Sequence, residues 1–201
     1  MGVARGAARP GSVEVTALVE RARRGDTGAI QELFRAHLQG VHRVVHRLVG
    51  PIPEVDDLVQ TVFVEAFRSL AGFRGDALFS TWLARIAVRV TMHAIRRRPP
   101  AAIPLHEEVD LPADIPGPER TVAAREGLAL LDGLLAELRP KRRAAFVLHV
   151  LEGYAMDEVA AILNASTAAV KVRVHDARRH IERRMQRDPR LVEWLTKEAR
   201  P

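Results

Sequence analysis

Apolar residues recur at steps of three and four through most of this chain, the period of an amphipathic helix. The clearest case lies between residues 54 and 70. Val55, Leu58, Val59, Val62, Phe63, Ala66, Phe67 and Leu70 fall on one side, leaving Asp56, Asp57, Gln60, Thr61 and Glu65 on the other. Pro53 suits the entry to such a helix, and the early acids favour its positive N-terminal end. The run Gly72-Phe73-Arg74-Gly75-Asp76 breaks the pattern, and a second helix is expected over 79–98, stopped by Pro99-Pro100. Two more helices precede this unit. One covers about 15–24. The next carries Ala29, Ile30, Leu33, Phe34, Leu38, Val41, Val44, Val45 and Leu48, with Asp26 or Thr27 as its N-cap and Gly50-Pro51-Ile52-Pro53 as its end.

The pattern then changes. Residues 99–121 hold prolines at 99, 100, 104, 112, 116 and 118 among Glu107, Glu108, Asp110, Asp114 and Glu119, and no period survives. This reads as an extended acidic linker. Helical spacing returns over 122–138, with Leu128, Leu131, Leu134, Leu135 and Leu138 on one side. Three short helices follow, over about 141–151, 156–163 and from 167 onward, separated by Gly153 and Asn164. Asn164 suits a left-handed helix end, and Ser166 or Thr167 suits an N-cap. The spacing is that of a helix-turn-helix. The expected fold is therefore all-α: two small helical domains, 14–98 and 122–187, joined by the linker 99–121. Residues 1–13 are expected to be disordered, and 188–201 to form a short tail with Leu191, Trp194 and Leu195 clustered.

Composition narrows the classes. The 201 residues are 47% hydrophobic but only 4% aromatic, so cores are built from aliphatic side chains, which favours helix on helix. Cysteine is absent, which excludes disulfides and thiolate metal sites. No signal-peptide core and no run of membrane-spanning length occurs, so a cytoplasmic protein without membrane insertion is expected. His42 and His46 stand at i, i+4, but no third ligand lies near them. No metal, cofactor or nucleotide motif is present, and no enzyme is expected.

The net charge of +6 matters less than its placement. Arginine greatly outnumbers lysine, through GC-rich coding or because its planar fork suits phosphate and guanine. In the last helix of the helix-turn-helix, Val170, Val174, Ala177 and Ile181 form an inward stripe, and Lys171, Arg173, His175, Arg178 and Arg179 are left outside. Such a helix fits a DNA major groove, reading bases with its first turns and holding phosphates with later ones. Thr167, Val172 and Asp176 lie in those first turns, where Asp176 suits a cytosine amino group. A merely solvated basic face, with pairs such as Arg178 to Glu182, is the plainer alternative.

Several short pieces occur in one order: Asp56-Asp57-Leu58-Val59-Gln60, Phe73-Arg74-Gly75-Asp76, Thr81-Trp82-Leu83-Ala84-Arg85-Ile86-Ala87 and Arg96-Arg97-Arg98. Together they resemble the second conserved region of the extracytoplasmic-function (ECF) group of sigma-70 family sigma factors, and the helix-turn-helix resembles the fourth. The resemblance implies a non-enzymatic subunit that gives core RNA polymerase its promoter choice. It implies that Asp57 and Gln60 dock on polymerase, with Asp56, Thr61 and Glu65 near enough to help. It implies that Phe73, Arg74, Gly75 and Asp76, with Arg85, Arg89, Arg96 and Arg97, meet the melted minus-10 element. Helix three would bind the minus-35 element, and the linker would either thread a basic groove of polymerase or serve as a mere spacer. An anti-sigma factor is a further implied partner.

Trp82 suits a stacking platform, although its spacing to Phe79 and Ile86 favours the core. The chain departs from the pattern at Thr61, Arg89, His93, Ala155, Val172 and Asp176, so its promoter preference is expected to differ from the usual one. The alternatives are a helix-turn-helix regulator acting without polymerase and a protein-only helical adaptor. The first leaves the acidic helix at 54–70 unexplained.

Overall fold

The computed structural model describes residues 12–97 and 118–187, with side chains over 15–97 and 127–187. Residues 1–11, Arg98, most of the linker and the tail with its Leu191, Trp194 and Leu195 cluster lie outside the described residues. Among the described residues are eight α-helices and no strand. They are α1 (Ser12–Arg23), α2 (Thr27–Val49), α3 (Val55–Ser69), α4 (Phe79–Arg97), α5 (Pro118–Ala136), α6 (Pro140–Phe146), α7 (Met156–Leu163) and α8 (Thr167–Arg187).

The first bundle is organised by α2. Asp26 caps it by accepting from the Ala29 N–H at 3.1 Å. That bond and the Arg21 guanidinium hold the Asp26 carboxyl below its usual range. The buried stripe Leu33, Val41, Val44, Val45 and Leu48 packs against α1, α3 and α4. Each such side chain contributes roughly 1.5–3 kcal/mol of burial energy. Phe34 of α2 packs tilted against Phe63 of α3, which stacks on Phe67, with ring centroids 4.6 Å and 6.0 Å apart. A short 3-10 turn, Leu70–Gly72, ends α3 and drops Leu70 into the core.

In the second bundle, α6 and α7 pack on the inner face of α8, whose buried residues are Val170, Val174, Ala177 and Ile181 as the period predicts. Asn164 takes the left-handed conformation at φ 47 that turns α7 toward α8. Ser166 caps α8 through the Ala169 N–H at 3.2 Å. Ala155 has no side-chain acceptor with which to cap α7. The Glu158 carboxylate compensates from inside the helix by accepting from the Ala155 N–H at 2.8 Å.

Four expectations are corrected. Helix α1 starts at Ser12, so Ser12 and Val13 are helical rather than disordered. Helix α5 starts at Pro118, inside the expected linker, because proline at the first helical position forfeits only an N–H that has no partner there anyway. Leu128 is exposed rather than inward, whereas Leu134, Leu135 and Leu138 are buried. The expected single helix over 141–151 is α6 followed by a π-helical turn, Val147–Leu151. The wider turn buries Val147 and Leu148 and leaves Val150 and Leu151 half-buried.

The two bundles are joined by polar contacts. The Glu152 carboxylate, only 9% exposed, accepts from Arg47 Nη1 at 2.5 Å and lies 3.5 Å from Arg43 Nη2. Arg143 donates to the Leu48 carbonyl at 2.9 Å. Thr81 donates to Glu158 at 2.9 Å, and the Tyr154 hydroxyl donates to the Ser80 carbonyl at 3.3 Å. His46 and Asp132 face each other at 3.8 Å. Burial pushes His46 down and Asp132 up, against the attraction between them.

Removing the Glu152 carboxylate leaves two arginines facing the junction without a partner, a cost of about 1–3 kcal/mol. Glu152→Ala is expected to raise the radius of gyration in small-angle scattering and lower the urea midpoint, with helicity retained. An unchanged radius and midpoint would show that the junction does not rest on Glu152.

Candidate nucleic-acid interface

The polar face of α3 runs along the outside of the first bundle. Asp57, Gln60, Thr61, Val64 and Arg68 are exposed at spacings of three and four, and form one stripe. The Asp57 carboxylate and the Gln60 amide make no hydrogen bond or ion pair among the described residues. The Thr61 hydroxyl does not point outward to a partner; it donates to the Asp57 carbonyl at 2.8 Å in its own helix. Asp56 is exposed and lies 3.4 Å from His42 Nε2. Glu65 is set apart from this stripe because it accepts from Arg89 of α4 at 2.5 Å. His42 and His46 stack on each other, yet each faces a different carboxylate, and no cluster able to hold a metal exists among the described residues.

Between α3 and α4 the loop over residues 73–78 stands out from the bundle. Gly75 adopts φ +79, a conformation open to glycine, and Arg74 closes the turn onto Asp76 at 3.1 Å. The loop is anchored by an aromatic triad: Phe73, Phe79 and Trp82 have centroids 5.2–5.6 Å apart. Trp82 is half-buried within it and spends its faces on these neighbours. Two cavities flank the loop. One, about 420 Å³, opens toward α1 and has the buried His37 in its wall. Burial holds that imidazole below its usual pKa. The other, about 270 Å³, is bordered by Trp82 and Arg85 and closed by Ala161 and Ile162 of α7. Arg85, Arg89, His93, Arg96 and Arg97 are exposed along α4 and form a basic ridge leading away from the loop.

On α8 the outward line is Ala168, Val172, His175 and Arg179, all exposed and directly opposite the buried stripe. Lys171 and Arg178 are exposed on one flank, and Thr167 is exposed at the helix start. Arg173 is expected outside but is half-buried on the other flank. Asp176 shares that flank and is bound to Arg142 of α6 at 2.9 Å. It is therefore part of a pair rather than the free acceptor its position suggests. The pair between Arg178 and Glu182 does not occur among the described residues. Arg142 and Val64 escaped the sequence reading. Val64 carried a signal, being an apolar residue off the three-four period; Arg142 carried none, because its partner lies on another helix.

The geometry is thus a polar stripe that starts at Asp57, a loop flanked by cavities and arginines, and a basic outward helix. A family model described as Sigma-70 region 2 matches residues 33–99, and one described as Sigma-70, region 4 matches residues 128–181. The chain belongs to the sigma-70 family, and within it to the ECF sigma factors. Its sequence is 33% identical over 178 residues to the ECF RNA polymerase sigma-E factor of Escherichia coli K12, covering 84% of this chain and 93% of that protein. It is 31% identical over 178 residues to the RNA polymerase sigma-H factor of Pseudomonas aeruginosa, covering 84% and 92%. Among solved structures, CnrH in complex with the cytosolic domain of CnrY is similar with a TM-score of 0.67 and 27% identity, over 86% of this chain and 97% of that one. RpoE of Bartonella quintana, in complex with the anti-sigma factor NepR, shares the fold with a TM-score of 0.62 and 18% identity, over 79% and 97%. The protein is accordingly a promoter-directing subunit that binds RNA polymerase core and promoter DNA. Sigma factors are generally non-enzymatic regulators. No helix among the described residues is long and apolar enough to cross a membrane.

Helix α8 is fixed to the end of α5 by Glu137, which accepts from His180 at 2.9 Å and from Arg184 at 2.8 Å. Slight burial pushes the Glu137 carboxyl up, but these two bonds outweigh it and hold the group below the usual glutamate value. A depressed carboxylate adds stability above its unfolded pKa and loses it as the pH falls through the lower folded value. Wild type should therefore lose its advantage over Glu137→Gln across that acid window, and keep it at neutral pH. Thermal melts at stepped pH check this; parallel curves for the two proteins would exclude the role.

Proposed function

We propose that three surfaces divide the work of promoter-specific initiation. The exposed stripe of α3, with Asp57 and Gln60 at its centre and Asp56 and Thr61 beside them, docks core polymerase. The loop of Phe73, Arg74, Gly75 and Asp76, with Arg85, Arg89, Arg96 and Arg97, holds the melted minus-10 strand. The outward face of α8, from Thr167 through Lys171, Val172, His175, Arg178 and Arg179, enters the minus-35 major groove, with Arg173 and Asp176 on its flank. The observation that carries this reading is the α3 stripe: carboxylate and amide side chains are exposed and unspent in the same bundle as the loop and the basic ridge. A regulator acting without polymerase has no use for that stripe, and a protein-only adaptor has none for α8.

The reading assigns the protein to the cytoplasm, where polymerase acts. It also gives it a protein inhibitor of the anti-sigma class, supported by the likeness to CnrH bound to the cytosolic domain of CnrY.

Reversing a charge inside a docking stripe is costly. Asp57→Arg with Gln60→Ala is expected to abolish co-purification with core polymerase and promoter-dependent transcription in vitro, with the circular dichroism unchanged. Full recovery of both in the double variant would overturn the assignment. Asp176→Ala releases Arg142 from its partner. The expected outcome is tighter binding to all upstream elements alike, with the selected motif unaltered, since a lost negative charge and a guanidinium freed for phosphate raise affinity without carrying sequence information. A changed motif would return Asp176 to the bases.

A further inference from the structure

The outward line of α8 carries a feature that phosphate binding does not require. Val172 is 60% exposed, the most exposed large apolar side chain among the described residues. It stands midway along the line Ala168, Val172, His175 and Arg179, at steps of four, three and four, which places it at the centre of the face turned away from the core. Its neighbours divide by chemistry. Ala168 on the N-terminal side is small and apolar, whereas His175 and Arg179 on the C-terminal side are polar or charged. The acid that would otherwise compete for bases here, Asp176, is held by Arg142 at 2.9 Å. The cation on the same flank, Arg173, is half-buried. The apex of the helix is thus an isopropyl group rather than a hydrogen-bonding one.

We propose that Val172 is a specificity-determining residue that packs against a thymine 5-methyl group in the upstream element. This deepens the reading of α8 as the minus-35 helix, and rests on it. The argument has an attractive and a repulsive part. In the major groove only thymine offers an apolar group, its C5-methyl, and apolar side chains read it by contact. Against guanine, adenine or cytosine the same isopropyl group would strip water from N7, O6 or amino groups and give no hydrogen bond back, which costs free energy. Both parts favour thymine at one position, facing the N-terminal half of α8. Lys171 and Arg178 on the exposed flank, with Arg179, supply affinity without choosing the base.

The test uses holoenzyme reconstituted from the full chain and core polymerase, with an upstream element first selected from a randomised duplex. Each thymine of that element is then replaced singly by deoxyuridine, which removes the methyl and nothing else. Burying one methyl is worth about fourfold in affinity. Wild type is expected to lose about that much at one position. Val172→Ser should lose nothing there while matching wild type at every other thymine. Val172→Thr, which keeps a methyl group, should retain the dependence. Because Val172 is exposed, neither substitution disturbs the core. The proposal is overturned if no thymine methyl matters, or if wild type and Val172→Ser show the same profile. Promoter-dependent transcription without upstream protection would overturn it through α8 alone. Absence of promoter-dependent transcription would instead sink the sigma-factor reading beneath it.

Discussion

A single helix, α2, is asked to satisfy two cores, and the rest of the structure follows from how it does so. Its apolar stripe is covered by α1, α3 and α4, which fixes the first bundle. The turns near its C-terminus place Arg43, His46 and Arg47 on another face, where they meet Glu152 and Asp132 of the second bundle. Because α2 is continuous, the position of α3 and its exposed polar stripe is set relative to the position of the helix-turn-helix. Burying Glu152 is tolerable only because two guanidinium groups reach it, since an unpaired carboxylate at that depth would be strongly unfavourable.

The same economy appears at Glu158. One of its oxygens makes up for the missing cap at Ala155, and the other receives the Thr81 hydroxyl from α4. A single carboxylate thus starts α7 and ties it to the first bundle. This is why α7 lies against the loop and helps to close one of its two cavities. The outward face of α8 stays open in this arrangement, with Lys171, Val172, His175 and Arg179 all exposed.

Much of this was legible in the sequence for plain physical reasons. The helical period, the cap at Asp26 and the left-handed turn at Asn164 are local, set by residues within one turn of each other, and these the structure reproduces. The inward stripe of α8 followed from the same period. Val172 was legible in the same way, lying off the inward period of α8, and Val64 carries a like signal on α3 that the sequence reading did not use. What escaped were pairings between distant segments, such as Arg47 with Glu152 and Arg142 with Asp176, since no local spacing encodes them. The start of α5 was missed because Pro118 reads as a linker proline until its place at a first helical turn is known. Leu128 was misplaced because the leucine-rich run around it fits more than one face.

The contact of Glu152 with Arg43 and Arg47 has a thermodynamic consequence for any partner that requires the bundles apart. Such a partner binds only the fraction of molecules already separated, so its apparent dissociation constant is the intrinsic one divided by that fraction. The junction therefore acts as a uniform handicap on every ligand of the separated form. A ligand of the joined form has its dissociation constant divided by the joined fraction instead, so it binds at close to its intrinsic affinity with no change in its own contact surface.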